Sequence, residues 1–121
     1  MKPILNDKLP KAIGPYSHGY CVNNIVYISG QTPAKEDGSV PAGIEAQAEQ
    51  SCKNVALVLQ AAGTDITKVF KTMCFLADMG DFAVFNAVYA KHFTSKPARS
   101  CVAVKTLPGG VLCEIEAIAE K

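Results

Sequence analysis

Arginine is nearly missing from this chain of 121 residues: among its 12 lysines and arginines, only Arg99 is arginine. Tryptophan is absent altogether, and phenylalanine with tyrosine makes up 7%. With a formal net charge of +1 and no basic stripe, little is available for phosphate contacts or base stacking, which argues against nucleic-acid binding. No apolar run approaches the roughly 20 residues that a membrane helix needs. The segment MKPILNDKLPKAIGPY lacks the apolar stretch and cleavage pattern of a secretory signal, so a cytoplasmic protein is expected. CxxC pairs are also lacking. The five cysteines (Cys21, Cys52, Cys74, Cys101 and Cys113) are odd in number and scattered through apolar segments. That pattern fits free thiols in a reducing compartment rather than a disulfide framework or a zinc site. The two histidines, His18 and His92, lie far apart, so neither a metal site nor a cofactor is expected.

What is present is a chain that is 49% apolar without low-complexity tracts, long enough for one folded domain spanning 1–121. SHGYCV and IVYISG are β-prone runs separated by Asn23-Asn24, a pair that tolerates positive φ, which predicts a tight hairpin. QTPAKEDGSVPAG follows as a surface loop. From 43 to 62 the period is helical, with Ile44, Cys52, Val55, Leu59 and Ala62 on one stripe and Gly63 as a stop. VFKTMCFLAD (69–78) reads as a strand. Asp81 is placed to cap a second helix whose stripe is Phe82, Phe85, Tyr89 and Phe93, with Pro97 ending it. ARSCVAV, the turn TLPGG and VLCEIEAIA complete the order β-β-α-β-α-β-β. This is an α+β, single-domain architecture: a mixed sheet with two helices packed on one face. The opposite face still carries apolar residues, so a homo-oligomer with sites between subunits is expected.

Arg99 stands in an apolar strand-like run, KPARSCVAV. Its planar fork can grip a carboxylate through two parallel hydrogen bonds, which lysine cannot do; the alternative is an ordinary surface charge. Side chains two apart on a strand share a face, so Arg99 pairs with Cys101, and Glu114 with Glu116. Two neighbouring carboxylates on a partly apolar face can raise each other's proton affinity and serve acid–base chemistry, or can form a solvated edge. Cys101 beside a cation could be an activated thiolate, but no histidine is placed to act as its base, and a buried thiol is the simpler reading. Tyr16 in GPYSHG, and Ser29 and Gly30 in YISGQTP, stand where a hydroxyl or bare backbone could meet a ligand. Asn86 lies off the apolar stripe of the second helix.

Taken together, IGPYSHG, YISGQTP, DFAVFNAVYAKHF, PARSCVAV and EIEAIA resemble, in order and over the whole chain, the reactive-intermediate deaminase (Rid, or YjgF-type) family. The likeness is strongest to its 2-iminobutanoate/2-iminopropanoate deaminase subgroup. It implies a chorismate-mutase-like fold, a homotrimeric barrel with clefts between subunits, and no metal or cofactor. The implied reaction is hydrolysis of 2-imino acids or their enamines, released by pyridoxal-phosphate enzymes, to 2-keto acids and ammonia. By the same resemblance Arg99 binds the substrate carboxylate, Glu114 positions the attacking water and the Cys101 backbone carbonyl helps to hold it. Tyr16, Ser29, Gly30 and Asn86 would complete substrate binding. The chain departs from the family pattern at His18, where glutamine is common, and at the two glycines of TLPGGV, where a charged residue is common. The alternatives are a ligand-binding or chaperone-like trimer, and a ribonuclease or translation inhibitor; the last lacks a basic groove and a histidine pair.

Overall fold

The computed structural model describes all 121 residues. Six strands form one sheet: β1 (Lys2–Ile4), β2 (Gly19–Val22), β3 (Ile25–Gln31), β4 (Val69–Leu76), β5 (Ala98–Ala103) and β6 (Cys113–Glu120). Their order across the sheet is β1-β2-β3-β6-β4-β5. β4 and β5 run parallel, joined by a helical crossover, and every other neighbouring pair is antiparallel. The helices α1 (Ile44–Ala61) and α2 (Phe82–His92) both pack on one face, as the sequence predicts. The short edge strand β1 goes beyond that prediction, because three residues are too few to show a period.

Local chemistry accounts for the turns. Asn23 and Asn24 adopt φ of 51° and 62°, the left-handed pair that suits a two-residue hairpin between β2 and β3. At the end of α1, Gly63 takes φ of 83° and its N–H bonds the Gln60 carbonyl, while the Thr64 N–H bonds that of Leu59. This is the paired closure that a left-handed glycine permits. The expected cap of α2 requires correction. Asp81 precedes the helix but makes no side-chain cap, because its backbone is already helical (φ −86°, ψ −1°). Asp78 does the capping one turn earlier, its Oδ1 accepting the Gly80 N–H at 2.7 Å.

β6 lies in the middle and shows why the helices stay on one side. Cys113, Ile115, Ala117 and Ala119 are buried and alternate with the half-exposed Glu114, Glu116 and Ile118. The buried set packs with Cys52, Val55 and Leu59 of α1, Cys74 and Leu76 of β4, and Phe85, Tyr89 and Phe93 of α2 in one core. On the opposite face no element covers the sheet. There Tyr27 registers with Ile118, Met73 with Glu116, and Phe75 with both Glu114 and Val102. Tyr27 is 46% exposed and Val102 43% exposed. No helix is long and apolar enough to cross a membrane.

Candidate active site

The sheet divides the seven residues singled out from the sequence into two groups. Arg99 registers with Thr72 and Cys101 with Cys74, both buried under α2, so this pair lies on the helix side. Glu114 registers with Phe75, one residue out of phase, and therefore lies on the open side. Within one chain the arginine and the glutamate do not meet.

The arginine group is held rigidly. Arg99 donates to Asn86 Oδ1 at 2.7 Å, and its guanidinium carbon sits 4.7 Å from the centre of the Tyr89 ring and 5.5 Å from that of Phe82. Tyr89 is itself fixed by a 2.8 Å hydrogen bond with Thr72. Ring stacking and one amide oxygen orient the fork without neutralising it. The chain's single ion pair is His92 with Glu49, so no carboxylate of this chain answers Arg99. Burial raises the Cys101 thiol above its ordinary range, with Arg99 only partly offsetting it. An activated thiolate is thereby disfavoured, although Cys101 is only partly buried rather than fully so.

The glutamate group frames a cleft of about 780 Å³ lined by Tyr16, Ser29, Gly30 and Glu114. It forms where β3 leaves its register with β6 between Ile28 and Gln31. Two residues, Ser29 and Gly30, bulge there; the Ser29 N–H continues the β2 ladder to the His18 carbonyl, and the Ser29 hydroxyl donates to the Ser17 carbonyl at 2.7 Å. Gly30 faces the Glu114 carboxylate so closely that a Cβ there would push the carboxylate out of its present position. Desolvation, and secondarily the neighbouring Glu116, raise the Glu114 carboxyl above the usual range. A carboxyl so placed can accept a proton from water and hold it.

The same cleft is lined by residues not foreseen as part of it, among them Asn54 and Gln31. Asn54 is buried on α1 and donates both amide hydrogens, to the Thr32 and Ala34 carbonyls at 2.9 and 2.8 Å. Two turns earlier, Gln47 accepts the Leu112 N–H at 2.8 Å and donates to the Pro41 carbonyl at 3.0 Å. These amides pin the loops before and after the cleft. A usable signal was present: Gln47, Ser51 and Asn54 are polar residues on the inward stripe of an otherwise apolar helix.

Comparison with known proteins identifies the scaffold. The endoribonuclease L-PSP family matches residues 6–121. The chain belongs to this family. It includes the Rid, YjgF-type proteins that the sequence motifs resemble. Protein HMF1 of Saccharomyces cerevisiae is 47% identical over 121 residues, covering 98% of this chain and 94% of that protein. The 2-iminobutanoate/2-iminopropanoate deaminase of Escherichia coli is 46% identical over 123 residues, covering 98% and 96%. The crystal structure of E. coli TdcF with bound serine superposes with a TM-score of 0.95 at 40% identity, covering 100% of this chain and 99% of that one. Family members thus carry both nuclease and deaminase names, and the choice between them rests on the site.

Proposed function

We propose that the protein hydrolyses 2-imino acids and their enamine tautomers, such as 2-iminobutanoate and 2-iminopropanoate, to 2-keto acids and ammonia. The observation that carries this reading is the unpaired guanidinium of Arg99, stacked and aimed but without an anionic partner in its own chain. An α-carboxylate is its natural complement. The deaminase name of the E. coli relative supports the same chemistry. Water adds to the imine carbon while Glu114 takes its proton. Glu114 then returns that proton to the nitrogen; the carbinolamine C–N bond breaks to release ammonia as the C=O forms, and the hydroxyl proton passes back to the Glu114 carboxylate. A raised carboxyl suits both halves of that exchange. In this reading the Cys101 carbonyl helps to hold the water, and Asn86, Tyr16, Ser29 and Gly30 complete the contacts to the substrate. Orientation supplies most of the acceleration, since a protonated imine is already electrophilic.

Because Arg99 and Glu114 lie on opposite faces of one sheet, the reaction requires two chains. We read the open apolar face as the surface of a homotrimeric barrel, in which Arg99 of one subunit meets Glu114 of the next. A nuclease reading finds less support. His18 spends both ring nitrogens on backbone groups, His92 is paired with Glu49 at the end of α2, and no second histidine stands near either.

The test is imine decay. 2-Iminobutanoate generated from threonine by a dehydratase, with the remainder trapped by semicarbazide, should disappear faster with wild type than in buffer, and not with Arg99→Ala. Equal decay in all three samples would falsify the deaminase reading and leave a binding cleft. Mixing inactive Arg99→Ala with inactive Glu114→Ala should restore activity, since random exchange unites both intact residues at about a quarter of the sites. No recovery after verified subunit exchange would place both residues in one chain's site and overturn the shared cleft.

A further inference from the structure

One edge of the cleft is a strap of irregular chain from Leu5 to Tyr16, which ends by presenting Tyr16 to the glutamate group. The strap is fastened by few contacts: Leu9 is buried in the core, Asn6 Nδ2 donates to the Leu57 carbonyl at 2.8 Å, and His18 reaches back to it twice. His18 is 6% exposed, accepts the Asn6 N–H on Nδ1 at 3.1 Å and bonds the Pro10 carbonyl through Nε2 at 3.0 Å. No other side chain outside the strap hydrogen-bonds to it.

The partners dictate the state of the ring. A backbone N–H can only donate, so Nδ1 must be bare; a carbonyl can only accept, so Nε2 must carry the hydrogen. Only neutral imidazole satisfies both. A proton on Nδ1 would set two donors against each other inside a buried site, at the cost of a hydrogen bond and an unsatisfied amide. We propose that His18 is a positioning residue for the cleft, its neutral ring tying the strap that carries Tyr16 across the Glu114 side, its protonated ring releasing it.

The charged neighbours act in both directions. On the strap, Lys8 and Lys11 oppose protonation and Asp7 favours it, all three being exposed. α1 contributes the exposed Lys53, one turn before Leu57, whereas β2 and β3 contribute no charged residue. β6 brings Glu114 into the same cleft and favours protonation. The closed strap binds one proton fewer than the released strap. Closure is therefore favoured as pH rises, and release as pH falls.

Glutamine at this position offers an acceptor and a donor but does not titrate, so His18→Gln separates the proton from the hydrogen bonds. Amide exchange, expressed as protection relative to the free amide, should fall at Asn6 by about tenfold in wild type between pH 8 and pH 6, the size of one hydrogen bond. KM for 2-iminobutanoate should rise by a similar factor. His18→Gln should keep both quantities level across that range, and His18→Ala should show low Asn6 protection throughout. Titration of Glu114 or of the imine is common to both proteins and cancels in the comparison. Parallel pH behaviour in wild type and His18→Gln would overturn the proposal. So would Asn6 protection that follows pH while KM does not. If His18→Ala does not fold, the wild-type and glutamine pair decides alone. The KM measurement rests on the deaminase reading; should no imine be turned over at all, that reading fails and the exchange measurement still decides the strap.

Discussion

The two faces of β6 differ by one residue in phase and by everything in purpose. Cys113, Ile115, Ala117 and Ala119 disappear under α1 and α2, and even their polar surroundings are satisfied. Glu114, Glu116 and Ile118 face away from both helices, beside Phe75, Met73 and Tyr27. The covered face spends its side chains on a closed core, in which a cavity is the main hazard. The open face retains a desolvated carboxyl and an apolar band, which are costs to an isolated chain. Such costs persist where something outside the chain repays them. The contrast teaches that stability and chemistry have been assigned to opposite sides of the same strand.

The largest effect expected from breaking this contrast lies on the covered side. Ile115→Ala should lower the unfolding free energy by about 2–5 kcal/mol, the range for removing a buried aliphatic side chain, as measured by urea unfolding. Ile118→Ala, three positions along on the other face, should change the stability of the isolated chain by under about 1 kcal/mol but weaken self-association in sedimentation. Equal losses at both positions would erase the distinction.

Next comes Arg99→Lys, which keeps the charge and loses the fork. A charged hydrogen bond is worth about 1.5–3 kcal/mol, so kcat/KM for imine hydrolysis should drop about 10- to 150-fold with the oligomer intact. Unchanged kinetics would mean that the fork grips nothing.

Smaller, and opposite in sign, is the effect of Glu114→Gln on stability. The folded state holds the Glu114 proton more tightly than the unfolded chain does, because burial and Glu116 raise it. Between the unfolded and folded values the native state therefore binds more protons, and stability falls as pH rises through that window. Glu114→Gln should abolish hydrolysis while raising the melting temperature at pH 7. A lower melting temperature would show that the carboxylate is structurally satisfied and not strained toward function.

Much of this was legible in the residues, and the reasons are local. Asn23-Asn24 announces its hairpin because few other residues accept two positive φ values in a row, and Gly63 announces the end of α1 for the same reason. The period-two pattern of EIEAIA states which side of β6 is buried. The motifs GPY, SGQTP and PARSCV led to the family. What could not be read was the meeting of distant groups. Nothing local to Asp81 reveals that its backbone is already helical and that Asp78 caps instead. Nothing local to Gln47 and Asn54, the two inward amides of α1, reveals which loop carbonyls and N–H groups they meet. Most consequentially, Arg99 and Glu114 were both singled out, yet their placement on opposite faces depends on the β4–β5 and β4–β6 registers, which no single segment encodes.

β6 is the last strand in chain order and the one that joins β3 to β4. A ribosome therefore delivers every neighbour before the strand that unites them. Until β6 emerges, β3 and β4 each present an unpaired edge, and the core under α1 lacks its central row of side chains. Unpaired edges are templates for other chains, and pairings this distant in sequence form slowly. A nascent chain stalled short of Cys113 would be a sticky pair of half-sheets rather than a smaller version of the domain.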